Sequence, residues 1–486
     1  MGDIMRLWVG ALLVFLCAAS VRAESDIELL NATLVAKFHF AEVARDGQMV
    51  GAYQVSFRNN GDTPVRTISL LLNPGLQFDK VVGPGGKTLK LTSRVTPVTG
   101  MRPLELNVAE LTLPKSLRKG ESRLEIVVHY RGYLEDLSVT FPGLEDIKET
   151  LSPDFTMIRS GSFGYPVFSA PEQNAIIKAW DHKPFYQVAF LDIPGTNTIV
   201  GNLDVARKTT NGEITTFEMK SERPTGLMTL AIGPYQIQQQ RFVTTATLGQ
   251  PIDLIAGIAG DIEKRATQLQ STIGGRTVRK ALKVVELPDG FAAPYERGLL
   301  FVQPNREDPF PRIPHLGDRS RAAVVMGTAF GLWQINPTNE FEHWASGLDG
   351  ALFALLWVEP SSLSAMVNKE FPNWQAYFSG NPEVAESALV EFPSMQEDFM
   401  MSRASILAFL ALHELLGSDD FFALVRGLRA ELSVGYADMQ SVADYLDQNI
   451  ENKKARKFAK NWFQKGRIGK DMAKAESFEE LVALYR

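Results

Sequence analysis

The 486-residue chain has a single cysteine, Cys17, and it falls within an N-terminal apolar stretch. Everything after it therefore lacks the means for a disulfide, a thiolate metal site or a cysteine nucleophile. Positive charge is also scarce for a nucleic-acid binder. Fifty Lys and Arg stand against 56 Asp and Glu, for a net charge of −6, so no broad basic field can track a phosphate backbone. The sequence contains no HExxH, no Gly-x-Ser-x-Gly elbow, no phosphate-binding Gly-x-x-x-x-Gly-Lys loop and no dinucleotide fingerprint. Long hydrophobic runs are missing too. The longest at the N-terminus, residues 7–19, falls short of the roughly 20 residues a membrane span needs.

That N-terminal run reads as a secretory signal. Arg6 supplies a thin positive region, Leu7 to Ala19 is apolar, and Val21-Arg22-Ala23 offers small residues for cleavage. Residues 1–23 are therefore expected to be removed near Ala23, giving an exported, periplasmic or secreted protein; retention as an anchor is the other reading. Leu16 before Cys17 does not suit lipidation.

Hydrophobic content of 45% and charge of 22% are those of a globular protein, and the length suits two or three domains. Residues 24–240 read mostly as strands, among them Ala52 to Phe57, Leu124 to Tyr130, Tyr186 to Leu191 and Gly226 to Ile232. Period-two alternation with Gly, Pro and Asn punctuation predicts a β-sandwich or saddle-like sheet. Residues 241–486 read as mainly helical. Residues 256–272 form a helix, Lys283 to Leu287 a short buried strand, and Pro304 to Pro314 a proline-rich loop. Helical patterns continue from Arg319, including an apolar helix from Ser402 to Leu416, with Ser418 expected to N-cap the next. The basic segment Lys453 to Lys457 reads as a solvated helix face. The fold class is thus α+β and multidomain, a β-rich half before a mainly helical one.

One spacing stands out. Met326-Gly327-Thr328-Ala329-Phe330 is followed, after 18 residues, by Asp349. In HExxH-x18-E zinc sites the two histidines, i and i+4 on one helix face, and a distant glutamate hold the metal. Here the histidine positions are Met326 and Phe330, the general-base position is Gly327 and the last ligand position is Asp349. Phe has no donor atom, and a lone thioether is a poor ligand for Zn²⁺.

Several further pieces occur in a suggestive order. Pro184-Phe185-Tyr186 with Pro194, and Leu230 to Tyr235, end the β-rich half. Leu287-Pro288-Asp289-Gly290-Phe291 leads into Ala293-Pro294-Tyr295-Glu296-Arg297-Gly298-Leu299-Leu300, and Met326 follows 30 residues after Glu296. His413-Glu414-Leu415-Leu416-Gly417 runs on through Phe421-Phe422. Over residues 30–470 this set resembles the zinc aminopeptidases of the alanyl aminopeptidase and leukotriene hydrolase type, within the gluzincins.

The resemblance implies a β-domain in front of a thermolysin-like domain, without the family's large C-terminal helical domain. It places Glu296 at the glutamate that binds a substrate's free α-amine in an exopeptidase loop; a surface glutamate paired with Arg297 is the plainer reading. It places the transition-state tyrosine on Met401 or Ser402, neither of which supplies a phenol. With Gly327 in place of the general base, nothing takes the proton from a metal-bound water. The expectation is a pseudoenzyme without a cofactor, binding a peptide or protein partner, with no nucleic-acid partner. Two alternatives stay open: an active zinc aminopeptidase with rearranged ligands drawn from His315, Asp318, Glu342 and His343, or an envelope scaffold. His413 begins an HExxH-like string but lies in an apolar helix, where a core or boundary histidine is the expectation.

Overall fold

Period-two alternation becomes sheet throughout the first half of the chain. The computed structural model describes residues 27–42, 46–101, 104–121, 123–137, 149–180, 183–221, 224–226, 228–249, 252–274, 282–289, 291, 298–304, 336–337, 343–358, 360–391, 399–432 and 436–486. In Ile27–His39, residues Ala32, Leu34, Ala36 and Phe38 are buried, while Val35, Lys37 and His39 face solvent. This strand lies at the centre of a seven-stranded sheet. The order is Asp204–Asn211, Ile214–Lys220, Tyr186–Pro194, Ile27–His39, Gln48–Asn59, Leu124–Gly132 and Leu76–Val82. Within it Ile27–His39 and Tyr186–Pro194 run parallel, and the other neighbours antiparallel. A second, four-stranded sheet (Lys90–Pro97, Glu105–Leu117, Val65–Leu72, Val167–Phe168) covers its inner side. Leu34, Tyr53 and Phe57 of one share a core with Leu70, Leu111 and Leu113 of the other. One face of the large sheet is buried and the other wet, as antiparallel sheets allow.

A three-stranded sheet (Thr198–Gly201, Thr229–Gly233, Thr156–Arg159) joins this sandwich to the second half of the chain. The strand anticipated at Gly226 opens at Thr229. At the end of Thr156–Arg159 sits a sealed ion pair. Arg159 Nη2 donates to Glu149 Oε1 at 2.6 Å, and Nε to the same oxygen at 3.1 Å. Burial pushes the Glu149 carboxyl up, and Arg159 pulls against it. The next turn places Phe163 at φ 54°, the one non-glycine residue with positive φ among those described.

The second half opens with a four-stranded sheet, Tyr235–Gln239, Val243–Leu248, Leu282–Glu286 and Leu299–Val302, antiparallel at its first step and parallel afterwards. Its first hairpin straddles residue 240. Met157, Val200 and Ala231 of the three-stranded sheet, with Phe155 just before it, pack against Val285, Leu287, Phe291, Leu299 and Phe301. The rings of Phe155 and Phe291 meet edge to face at 4.5 Å. Lys283 Nζ lies 2.9 Å from Asp204 and donates to the carbonyls of Gly201 and Leu203. The two halves thus join through an apolar core with a cation seated at its margin.

Among the described residues the α-helices are α1 (Gln173–Trp180), inside the β-rich half, then α2 (Asp253–Ile273), α3 (His343–Trp357), α4 (Pro360–Gly380), α5 (Pro382–Ala385) and α6 (Phe399–Leu416). After them come α7 (Ser418–Glu431), α8 (Met439–Asn449), α9 (Lys453–Ala459), α10 (Ile468–Met472) and α11 (Phe478–Ala483). Helix α2 shows why these segments fold as they do. Ile255, Ile258, Ile262, Leu269 and Ile273 recur at helical spacing and all enter the core, each contributing roughly 1.5–3 kcal/mol on burial. Helix α9 matches the basic string: Asn452 caps it, Ala455 and Phe458 point inward, and Lys453, Lys454 and Lys457 stay in solvent.

Ser418 is not the N-cap expected of it. It is the first residue of α7, and Gly417 occupies the cap with φ 80° and ψ 162°, a conformation that suits glycine. The Ser418 hydroxyl is engaged instead by His413 Nε2, at 2.9 Å.

Candidate functional site

Of the positions that the zinc-like spacing singles out, Asp349 is the one the structure describes. It is the seventh residue of α3, so it caps no helix end, and its side chain is buried. Met326, Gly327, Phe330 and Glu296 lie outside the described residues, as do His315, Asp318 and Glu342. His343 opens α3, but its side chain is likewise outside them. Met401 and Ser402 fall in the first turn of α6 without described side chains.

Two helices position Asp349. Helix α3 crosses α6 closely enough that a Cβ on Gly347 would meet Ser405 Oγ at 2.1 Å, and one on Gly350 would meet the Ile406 side chain at 2.8 Å. At 347, where the Ser405 backbone also lies within 2.9 Å, only glycine fits the crossing; at 350 a Cβ would have to displace the Ile406 side chain. Trp344 pins the start of α3 by donating its Nε1 hydrogen to the carbonyl of Ala437, 3.2 Å away. On the facing helix Ser405 is fully buried, and its hydroxyl makes no hydrogen bond among the described residues. Sequence reading passed over Ser405. The available signal was the pair of glycines beside Asp349, which implies a facing small residue.

The donor set can be tested for zinc by its chemistry. Among the described residues no three His, Cys, Asp or Glu side chains come together as a ligand group. In the sequence the positions partnering Asp349 are a thioether and a phenyl ring. One carboxylate with those neighbours does not make a zinc site, so these residues do not fit the metal that the spacing would call for.

His413, expected from the sequence to be a core or boundary histidine, occupies the corner between α6 and α7. Phe421 and Phe422 present their rings edge-on to it, with centroids at 5.4 and 6.2 Å, and Glu414 lies 3.4 Å from Nδ1. Burial holds the imidazole below its usual range, with Glu414 pulling the other way. Its partners are those of a packed corner.

Solved structures with a similar fold are M1 zinc metallopeptidases. The structure is similar to an M1 zinc metallopeptidase from Deinococcus radiodurans, with a TM-score of 0.56 and 14% identity over 90% of this chain and 93% of that one. A mutant of the Deinococcus enzyme bound to a Tyr-Ser-Ala substrate gives a TM-score of 0.57 at 14% identity, covering 91% and 95% of the two chains. A two-domain M1 zinc metallopeptidase mutant bound to L-tryptophan gives 0.58 at 15% identity, covering 90% and 94%. No protein-family model matches the sequence, and no curated protein matches it by sequence search. At these identities the likeness establishes the fold: a β-rich N-terminal domain followed by a helical region. No helix among the described residues is long and apolar enough to cross a membrane.

Proposed function

We infer that the chain is an exported relative of the M1 aminopeptidases that has given up zinc chemistry and binds a peptide or protein partner without cleaving it. The observation carrying this reading is that Met326, Gly327 and Phe330, none with ligand or base chemistry for zinc, stand in a spacing that ends on the carboxylate of Asp349. Fold likeness to M1 zinc metallopeptidases over nine-tenths of the chain supports it. Ordinary packing uses suit the replacements: a Met and a Phe one turn apart fill apolar volume. Glu296 is then the group left for recognition, meeting the free amine of a peptide. Elemental analysis of the purified full chain is the direct test. The expected zinc content is well below one atom per chain, with no turnover of aminoacyl fluorogenic substrates on adding zinc. Tightly bound zinc at one per chain, with chelator-sensitive turnover, overturns the reading.

A further inference from the structure

The solvent face of the seven-stranded sheet carries a stripe of apolar side chains that the fold does not use. Along Tyr186–Pro194 the outward positions are Tyr186, Val188 and Phe190. In register beside them, Phe190 is next to Val35, Val35 next to Ala52, and Val50 completes the stripe two residues along. Tyr186, Phe190, Val35 and Val50 are exposed, a grouping that marks an interaction surface more often than a scatter of single apolar residues does.

The charges around this stripe are layered. Lys37 pairs with Asp192 at 3.6 Å, and its side chain is 71% exposed against 31% for the acid. Arg131 pairs with Asp79 at 3.0 Å, with 67% against 33%. Glu28 is nearly covered beneath Arg58 and Lys183. In each of these pairs the cation is more exposed than its acid. Lys37 and Arg131 flank Val50 directly in the register. Of the further acids on this face, Glu125 accepts from Gln54 and Ser56, and Glu218 lies between Arg207 and Phe190 in the register.

We propose that this face docks on an anionic phospholipid bilayer. An exposed tyrosine and phenylalanine suit the headgroup boundary, and long cationic side chains above them reach lipid phosphates while their stems lie on apolar surface. Retention of the N-terminal run as an anchor, the second reading of residues 1–23, would bring this face to a membrane. The apolar run of residues 7–19 is joined to the first strand by residues 20–26 alone, which reach about 25 Å when extended. They enter the sheet at Ile27, four positions before Asn31, whose register partner is Tyr186.

The lone cysteine makes a clean test possible. In the full chain with Cys17→Ser, an environment-sensitive NBD label goes on Val50→Cys within the face, or on Met366→Cys, an exposed site on α4. Vesicles of phosphatidylcholine alone are compared with vesicles containing about 30 mol% phosphatidylglycerol, an anionic lipid. The label at 50 should brighten and shift blue on the anionic vesicles only, and lose the response in high salt, while the label at 366 stays silent. Lys37→Gln with Arg131→Gln should weaken partitioning by roughly 30-fold, as two cations at about 1 kcal/mol each would. Tyr186→Ser with Phe190→Ser should abolish the blue shift while circular dichroism stays unchanged. A silent label at 50, an equal response at 366 or on neutral vesicles, or a response surviving both double variants overturns the proposal. Capture of an acidic protein by the same face, with silent vesicles, counts against it too.

Discussion

The two halves of the molecule bury charge differently. The β-rich half seals a full ion pair, Arg159 with Glu149, under the turn that carries Phe163. The helical half buries Asp471 among donors on its own C-terminal elements. Trp462 donates to its Oδ2 at 3.1 Å, Tyr485 donates to the same oxygen, and Arg467 stands 3.6 Å from Oδ1 at the margin. Asn461 donates to the Tyr485 hydroxyl at 2.8 Å. In the first arrangement two charges lose water and must satisfy each other. In the second one charge loses water and mostly neutral hydrogen-bond donors replace it. The contrast predicts that the sandwich is intolerant of single changes at its pair, and that the bundle loses stability in smaller steps.

The largest effect should come from Arg159→Met, which strands Glu149. A loss of about 3–5 kcal/mol is expected in urea unfolding, and adding Glu149→Leu should restore most of it. A double variant as unstable as the single one would mean that the pair contributes more than burial of its two side chains can replace. Tyr485→Phe should cost less, about 1–3 kcal/mol, because Asp471 keeps Trp462 while Asn461 loses its acceptor. Equal losses from Arg159→Met and Tyr485→Phe would break the contrast. The smallest effect is a pH dependence at the corner between α6 and α7. His413 is held below its unfolded range, so the unfolded chain takes up its proton first. Its contribution to stability is complete above a pH near 6.5 and falls away below it. Stability of wild type and His413→Gln, followed from mildly acidic to mildly basic pH, should differ in slope at the acid end, the wild type falling more steeply.

Much of the architecture was legible because it depends on local periodicity. Ala52 to Phe57, Leu124 to Tyr130 and Ser402 to Leu416 all fall inside observed elements, since alternation or an apolar helical stretch is visible one residue at a time. What escaped was decided by partners distant in sequence or in a tight corner. Nothing near Arg159 announces that Glu149, ten residues earlier, will supply the oxygen it grips. Ser418 has the chemistry of an N-cap, but His413, five residues before it, takes the hydroxyl, and Gly417 supplies the backbone conformation. Asp349 was legible as a retained carboxylate in the candidate site; that it lies mid-helix at a crossing allowed by Gly347 and Gly350 required three dimensions. Glu296, Met326, Gly327 and Phe330 rest on the sequence argument, being outside the described residues.

The hairpin that straddles residue 240 bears on how this molecule could ever be divided. A chain ending there would keep Tyr235–Gln239 without the strand it pairs with, and would leave Phe155, Met157 and Val200 facing water. An open strand edge beside a bare apolar surface invites self-association. The second half, begun there, would lose the same strand and the carbonyls that hold Lys283. Recombination or truncation at that seam should therefore yield insoluble fragments.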